Sequence, residues 1–216
     1  MNNKALIIPR IDSLETMTQQ EIADNLFNGG AHILINESNW SAEYPTAPVS
    51  TAMIAHSGLS LYIMFTARVD EVRAMVTENL GPVADDNCFE FFVKIPGCDR
   101  YWNFEFNTLG VANVSSRITR KSPERFTPDK LKQIARYPST VHPTPAIHGE
   151  CDLWLIVSIP LSLIGLDNIS CPTLLMGNLY SCAAALEHPY YLSWNPIMTD
   201  KPDFHRPEYF GYLILE

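Results

Sequence analysis

Charged side chains are scarce in this chain of 216 residues, and positive ones are the scarcer. Lys and Arg number 15 against 24 Asp and Glu, which gives a formal net charge of -9. Nucleic-acid binding relies on clustered Lys and Arg, so this balance argues against a nucleic-acid partner. With only 18% charged and 46% hydrophobic residues, the chain does not have the composition of a disordered protein.

Cysteine pairs with CxxC spacing are also absent. The five cysteines are Cys88, Cys98, Cys151, Cys171 and Cys182. Their spacing excludes a zinc ribbon, and their odd number disfavours a disulfide scaffold. Free buried thiols in a reducing compartment are the simplest interpretation.

Long apolar runs are missing as well. The N-terminal run ends at Pro9 and Arg10, which makes it too short for a signal peptide, so we expect a cytoplasmic protein. No stretch approaches the length of a membrane span. No feature of the sequence specifies an oligomeric state.

Common catalytic motifs are not found. GxSxG, HExxH and a glycine-rich phosphate loop are absent, and the six histidines show no ligand spacing. Asp85, Asp86 and Glu90 offer oxygen ligands of the kind calcium prefers, but their spacing does not support a structural calcium site. We therefore expect no cofactor and no catalytic activity.

Short segments of alternating apolar and polar residues recur along the chain, separated by Gly and Pro turns. These segments are 5–9, 32–36, 51–56, 61–68, 88–95, 101–107, 111–118, 153–159, 174–182 and 209–215. Such a pattern is typical of an all-β protein, an antiparallel β-sandwich of jelly-roll type. Short helices are expected after Thr18, where a capping box occurs, after Thr127 and at 161–166.

The length predicts a single domain over residues 1–216. We expect an N-terminal extension of about residues 1–49, a connection at 69–85 and a polar, Pro-rich excursion at about 119–150.

Residues 86–107 are the most informative stretch. Two alternating arms flank a turn at residues 96–99, which pairs Ile95 with Arg100 and therefore places Glu90 directly opposite Glu105. Like charges directly opposite each other destabilise a strand pair. We expect a basic side chain, a shared proton, a metal ion or a hydroxyl-rich ligand to compensate, at a site on the open face of the sheet.

A polar face of this hairpin suits a sugar, whose hydroxyls bond to carboxylates and amides while aromatic rings cover its C–H face. Trp194 stands between Ser193 and Asn195 and is predicted to be a loop residue available for stacking. The candidate ligand-binding residues are Glu90, Asn103, Glu105, Asn107, Asn178, Trp194, Asn195 and His205.

Four stretches, in this order, resemble the carbohydrate-binding modules of family 9. They are residues 85–92, 101–110, 192–196 and 204–211, and the likeness runs from about Ser50 to the C-terminus. The chain is similar to stand-alone family 9-like proteins of gut-type bacteria. The resemblance implies a β-sandwich that binds sugars, which for xylanase-attached members are the ends of xylan and cellulose chains.

The resemblance also implies roles for individual residues. Glu90 falls where the family has a sugar-contacting carboxylate, Asn178 on a strand Asn near the ligand, and Trp194 on one of two Trp residues that sandwich the sugar. Two positions differ from the family pattern. Glu105 stands where the family has a basic residue that contacts the sugar, and Ala84 stands where the other Trp is usual. Tyr101, Trp40 or Tyr44 are candidates to replace that ring.

Two other functions remain open at this point. One is a glycoside-active enzyme that uses Glu90 and Glu105 as its carboxylate pair. The other is a structural or interaction module whose polar face is merely solvated, with both carboxylates exposed and Trp194 packed in the core.

Overall fold

Two packed β-sheets account for most of the chain. The computed structural model describes residues 3–167, 169 and 172–216. Within these ranges the strands are β1 (Ala5–Ile8), β2 (Ala31–Leu34), β3 (Val49–His56), β4 (Ser60–Ala74), β5 (Cys88–Lys94), β6 (Tyr101–Asn107), β7 (Ala112–Arg117), β8 (Pro123–Arg125), β9 (Ala135–Pro138), β10 (Thr144–Pro160), β11 (Thr173–Ala183), β12 (Tyr190–Ser193) and β13 (Gly211–Leu215).

The first sheet has the order β1-β13-β11-β5-β6-β7-β8, with β12 also pairing with β11. The second has the order β2-β3-β4-β10-β9. Among the strand pairs of the described residues, only β1 with β13 is parallel. The predicted antiparallel β-sandwich is confirmed.

The main core lies between the two sheets. It is formed by alternate side chains of the central strands, because successive residues of a strand point to opposite faces. Phe65 of β4 stacks on Phe89 of β5 across the sheets, with ring centroids 5.3 Å apart, and Phe91 stacks on Phe104 within the first sheet at 6.4 Å. The apolar face predicted for the hairpin at 86–107 is therefore the core face.

Helices are few and lie in the connections. Helix α1 (Gln19–Gly29) begins with the predicted capping box, in which Thr18 and Glu21 satisfy each other's backbone N–H groups. Its residues Ile22 and Leu26 pack on the outer face of the second sheet. Helix α2 (Pro128–Leu131) starts where predicted but is shorter, and 3-10 turns cover Asp12–Thr16, Val83–Asp85, Leu161–Ile164 and Pro207–Tyr209.

Two predicted loops are in fact strand. β4 continues to Ala74, although residues 69–85 were expected to be a connection, and β10 begins at Thr144 inside the predicted excursion. The reason is that these two ends pair with each other, Thr144 with Ala74. Irregularities in this pairing break the alternation on which strand prediction depends.

The predicted N-terminal extension is integrated into the sandwich. β1 forms one edge of the first sheet and β2 one edge of the second. The apolar side chains Ile8, Ile33 and Ile35 are buried in the main core. No helix among the described residues has the length and apolarity needed to cross a bilayer.

The stacked ring pair between the sheets yields a stability prediction. Replacing the fully buried Phe65 by Ala should lower the free energy of unfolding by about 3–5 kcal/mol, because transfer energy is lost and a cavity remains. Urea denaturation measures this change. Phe27→Ala on the exposed side of α1 is the control and should change the value by about 0.5 kcal/mol or less. Equal effects of the two changes would contradict this description of the core.

Candidate functional site

Glu90 and Glu105 face each other across β5 and β6, as the turn position predicted. The neighbouring strands extend this row, with Tyr180 of β11 beside Glu90 and Asn113 of β7 beside Glu105. All four side chains lie on the side of the first sheet that faces away from the main core. The carboxyl pair therefore sits near the middle of the sheet.

The expectation that this face is open is wrong, since loops cover it. Glu90 is 3% exposed and Glu105 is 7% exposed. A second apolar cluster forms over the face, in which Phe204 stacks on Tyr180 with ring centroids 4.2 Å apart. Trp40 lies against Phe204 from another loop, with a centroid distance of 6.1 Å. The carboxyl pair is consequently shielded from bulk water.

A cavity of about 160 Å³ remains above the carboxyl pair, and we call it the Glu90 cavity. It is bounded by two carboxyl-bearing strands below and by loop residues above. Its lining residues are Ala84, Glu90, Glu105, Arg120, Cys182, Tyr191, Pro202, Asp203, Phe204 and His205. Three of the candidate ligand-binding residues, Glu90, Glu105 and His205, thus meet at one cavity.

Glu105 is held by amide donors. Asn103 Nδ2 donates to Oε1 at 2.8 Å, and Asn113 Nδ2 donates to Oε2 at 2.7 Å. Burial raises the pKa of Glu105, while these two amides and the Arg117 charge oppose that rise. Asn103 is in turn fixed by Ser115 and by Arg117 Nε at 2.8 Å. Its role in this structure is to orient Glu105, and it does not line the cavity.

Glu90 has weaker partners. Cys182 Sγ lies 3.2 Å and Cys88 Sγ 3.9 Å from Oε1, and among the described residues no donor bonds to Oε2. Burial, with further contributions from Cys182 and the nearby Glu105, raises the pKa of Glu90 well above that of an ordinary glutamate. Of the expected forms of compensation for the facing pair, a retained proton on Glu90 is the one this geometry favours.

His205 closes one side of the cavity. Its ring packs against Phe92 with centroids 4.9 Å apart, and Nδ1 lies 3.1 Å from the hydroxyl of Tyr101. Burial, together with the charges of Arg117 and Arg120, lowers the pKa of His205 to about 3. The imidazole is therefore neutral at physiological pH.

Three candidate asparagines lie elsewhere and support the backbone. Asn107 receives the N–H groups of Leu109 and Val111 and donates to Val76 O at 2.8 Å. The Asn178 side chain holds the backbone of Asn195, with Oδ1 accepting from Asn195 N at 2.8 Å and Nδ2 donating to Asn195 O at 2.9 Å, and the Asn195 side chain donates to Tyr209 O at 2.7 Å. None of the three lines the Glu90 cavity. Their amides anchor turns and loops in this structure, and ligand contact by any of them stays a prediction.

The structure corrects the prediction that Trp194 is an exposed loop residue. It was predicted to be exposed for stacking, but it is only 6% exposed and belongs to the main core between the sheets. Its backbone N–H bonds to Leu179 O at 2.8 Å, which continues the β11–β12 pairing beyond Ser193. A Cβ on Gly211 would lie 2.7 Å from the Trp194 ring, so the absence of a side chain there admits the indole.

Aromatic walls come instead from Tyr191 and Phe204, which sequence reasoning did not select. Ala84 does line the cavity, so the position where a second Trp was expected is at the site. Of the suggested replacements for that Trp, none lines the cavity, although Tyr44 packs edge-on against Tyr191 with centroids 4.9 Å apart. The aromatic pair at 190–191 before Trp194 was the available signal.

The suggested calcium ligands do not form a cluster. Asp86 pairs with Arg73 and accepts the N–H groups of Met75 and Val76 at 2.9 and 2.8 Å, so its charge is already compensated. Within the described ranges, the only group of potential metal-binding side chains is Cys88, Glu90 and Cys182, whose ligand atoms lie within 4.8 Å of one another.

Comparison with known proteins identifies the family of the chain. A profile described as carbohydrate-binding family 9 matches residues 22–215. The chain belongs to carbohydrate-binding family 9. Among curated proteins, none matches the chain.

Several solved structures share the fold. A candidate carbohydrate-binding protein from Bacteroides uniformis ATCC 8492 is 29% identical, with all of both chains covered and a TM-score of 0.92. A family 9 module from Caldicellulosiruptor kristjanssonii in complex with glucose is 9% identical over 99% of this chain and 96% of that chain, with a TM-score of 0.57. Its complex with cellotriose gives the same identity and TM-score over 99% and 94%.

The neutral His205 gives a pH prediction. An unfolded chain protonates this histidine near pH 6.5 and the folded chain only near pH 3, so its contribution to stability is complete above pH 6.5 and is lost as the pH falls. At pH 5 the loss should be about 2 kcal/mol relative to pH 7.5. The titratable and charged groups that act on the ring are Tyr101, Arg117 and Arg120, and Asp203 accepts the backbone N–H of His205.

Urea denaturation at pH 5 and pH 7.5 measures this loss. In His205→Gln the decrease in unfolding free energy between the two pH values should be smaller than in the unmodified protein by that amount. His142→Gln, at an exposed histidine, is the matched control and should behave like the unmodified protein. An unchanged pH dependence in His205→Gln would show that His205 is not buried as described.

Proposed function

We propose that this chain is a non-catalytic carbohydrate-binding module and that the Glu90 cavity is its sugar site. The observation that carries the proposal is a pair of buried carboxyl groups under a cavity with two aromatic side chains, Tyr191 and Phe204, in its wall. Small-molecule sites commonly combine apolar walls with a few placed polar groups. Membership of carbohydrate-binding family 9 supports the same function.

The polar groups of the cavity suit hydroxyl groups. A protonated Glu90 offers one donor as well as acceptors, whereas an ionised carboxylate offers acceptors only. Asp203 and the neutral His205 add further polar atoms on the loop side. A sugar hydroxyl both donates and accepts, so it can bond to any of these groups.

The aromatic rings suit the C–H face of a sugar. Tyr191 and Phe204 lie at the cavity with their ring centroids 6.2 Å apart in an edge-to-face arrangement. They form a corner rather than two parallel walls, so stacking on one ring and edge contact with the other are expected. This arrangement takes the place of a sandwich between two Trp residues.

The volume limits the bound portion of the ligand. About 160 Å³ is less than the roughly 300–1,000 Å³ of sites for drug-sized molecules. We infer that one sugar ring at a chain end enters the cavity, and that the ligand is a xylan- or cellulose-like oligosaccharide met during polysaccharide degradation. The glucose and cellotriose complexes of the Caldicellulosiruptor kristjanssonii module make these two sugars natural first probes.

The two other functions are less well supported by the geometry. A glycosidase needs a carboxylate free to act as nucleophile or base, but amides hold both oxygens of Glu105. An interaction module with a solvated polar face would leave Glu90 and Glu105 exposed without a concavity, whereas both are buried at one. Only the core position of Trp194 agrees with that alternative.

Calorimetric titration with glucose, cellotriose and xylo-oligosaccharides tests the proposal. Tyr191→Ala should weaken the binding of the best ligand several-fold, because an aromatic contact contributes roughly 0.5–1.5 kcal/mol beyond its buried area. Glu90→Ala should weaken it at least tenfold. Neither change should alter the amount of reducing sugar released from the same oligosaccharides, which is expected to be nil.

Leu34→Ser on the exposed face of the second sheet is the control and should bind like the unmodified protein. Tyr191 is half-buried, so its replacement leaves the core intact and separates loss of binding from loss of folding. Unchanged affinity in both Tyr191→Ala and Glu90→Ala would refute the cavity as the sugar site. Release of reducing sugar that Glu90→Gln abolishes would establish the enzyme instead.

A further inference from the structure

Two buried cysteines from distant parts of the chain meet beside the Glu90 cavity. Cys88 of β5 and Cys182 of β11 are directly opposite each other in the sheet, and both are free. Glu90 follows Cys88 by two residues, so its side chain lies on the same face. Its Oε1 atom reaches both thiols, at 3.2 Å for Cys182 and 3.9 Å for Cys88.

The partners of this carboxyl group are unusually weak. Buried polar groups normally have strong hydrogen-bond partners, and Glu105 in the opposite position has two amide donors. Thiols are only weak donors. Within the described ranges, Glu90 has no amide, hydroxyl or cationic partner. A stronger partner for Oε1 is missing at the point where both sulfur atoms converge.

We propose that Cys88, Cys182 and Glu90 bind a thiophilic divalent cation, Zn²⁺, whose fourth ligand position opens into the Glu90 cavity. Two thiolates and one carboxylate are a ligand set that Zn²⁺ accepts, and an open fourth position takes water or a ligand atom. Each thiol and the carboxyl group release their protons to solvent on binding.

The distances agree with tetrahedral coordination. Bonds of about 2.3 Å to sulfur and 2.0 Å to oxygen place ligand atoms about 3.5 Å apart for S and O and about 3.8 Å apart for two S atoms. The two S–O distances, 3.2 and 3.9 Å, lie on either side of that value, and all three ligand atoms are within 4.8 Å of one another. Shifts of a few tenths of an ångström would bring both S–O distances to the tetrahedral value.

The cation would also act on the facing carboxyl pair. A dication bound to Oε1 of Glu90 takes the place of the retained proton and compensates the negative charge that an ionised Glu90 places opposite Glu105. Oε2 of Glu90 stays available to the cavity, because both thiols contact Oε1. Metal binding does not rest on the proposed sugar binding, and each can occur without the other.

Titration of the reduced protein with Co²⁺ tests the site directly. Thiolate ligation produces a sulfur-to-cobalt charge-transfer band in the near ultraviolet, and tetrahedral geometry produces intense ligand-field bands in the visible. We expect one Co²⁺ per chain, displaced by one Zn²⁺. Cys182→Ser should reduce the intensity of the charge-transfer band by at least half and weaken Zn²⁺ binding at least tenfold. Glu90→Gln should keep the band but weaken Zn²⁺ binding.

The chain supplies matched controls in its other thiols. Cys98→Ser and Cys151→Ser replace half-buried cysteines away from the cluster, and both should bind Co²⁺ like the unmodified protein. Thermal unfolding with and without Zn²⁺ separates loss of the site from loss of folding. The unmodified protein should melt at a higher temperature with Zn²⁺, and Cys182→Ser should show no such increase while still unfolding cooperatively.

Three results would overturn the proposal. The first is the absence of a charge-transfer band in the reduced, unmodified protein. The second is a band that survives in Cys182→Ser and disappears in Cys98→Ser or Cys151→Ser. The third is that Cys88 and Cys182 form a disulfide in air and that, once this disulfide is reduced, Zn²⁺ does not change the melting temperature of the protein. Sugar titration with and without Zn²⁺ distinguishes this proposal from the proposed function. The cobalt spectrum tests the metal site without any sugar. Sugar binding in the absence of metal would leave the proposed function intact.

Discussion

The direct opposition of Glu90 and Glu105 constrains everything built on the outer face of the first sheet. The turn at 96–99 sets the register, and the register leaves no freedom to separate the two carboxyl groups. A slip by one residue would relieve the repulsion but would move Phe89, Phe91 and Val93 out of the core. Core burial therefore keeps the acids together, and their environment must compensate.

That environment differs between the two acids. Glu105 receives two amide donors and remains near a guanidinium group, whereas Glu90 is buried beside sulfur. Loops from 37–44 and 195–210 then cover the row and leave a small cavity above it. A sheet face that would otherwise be solvated becomes a pocket in which polar groups are few, fixed and shielded. Shielding would strengthen every hydrogen bond that a ligand made there.

Much of the fold was predictable because alternation reports which face of a strand is buried. The register of β5 and β6, the capping box before α1 and most strands follow from local patterns. The first part of β10 was not predicted to be a strand, because irregular pairing interrupts its alternation. The cavity was less predictable. The candidate residues Glu90, Glu105 and His205 line it, but the direction of loop side chains has no periodicity. Trp194 points into the core and Tyr191 and Phe204 to the cavity for reasons of tertiary packing alone.

The strand order has a consequence for the sequence of folding events. The β5–β6 hairpin closes through a short turn, so Glu90 and Glu105 can meet early and locally. Glu90 and Cys182 are 92 residues apart, so β11 must join β5 by closing a long loop, which is entropically costly and slow. Until then the carboxyl pair is hydrated and the thiols of Cys88 and Cys182 are open to solvent. Their protection from a thiol reagent therefore marks the moment at which the middle of the first sheet assembles.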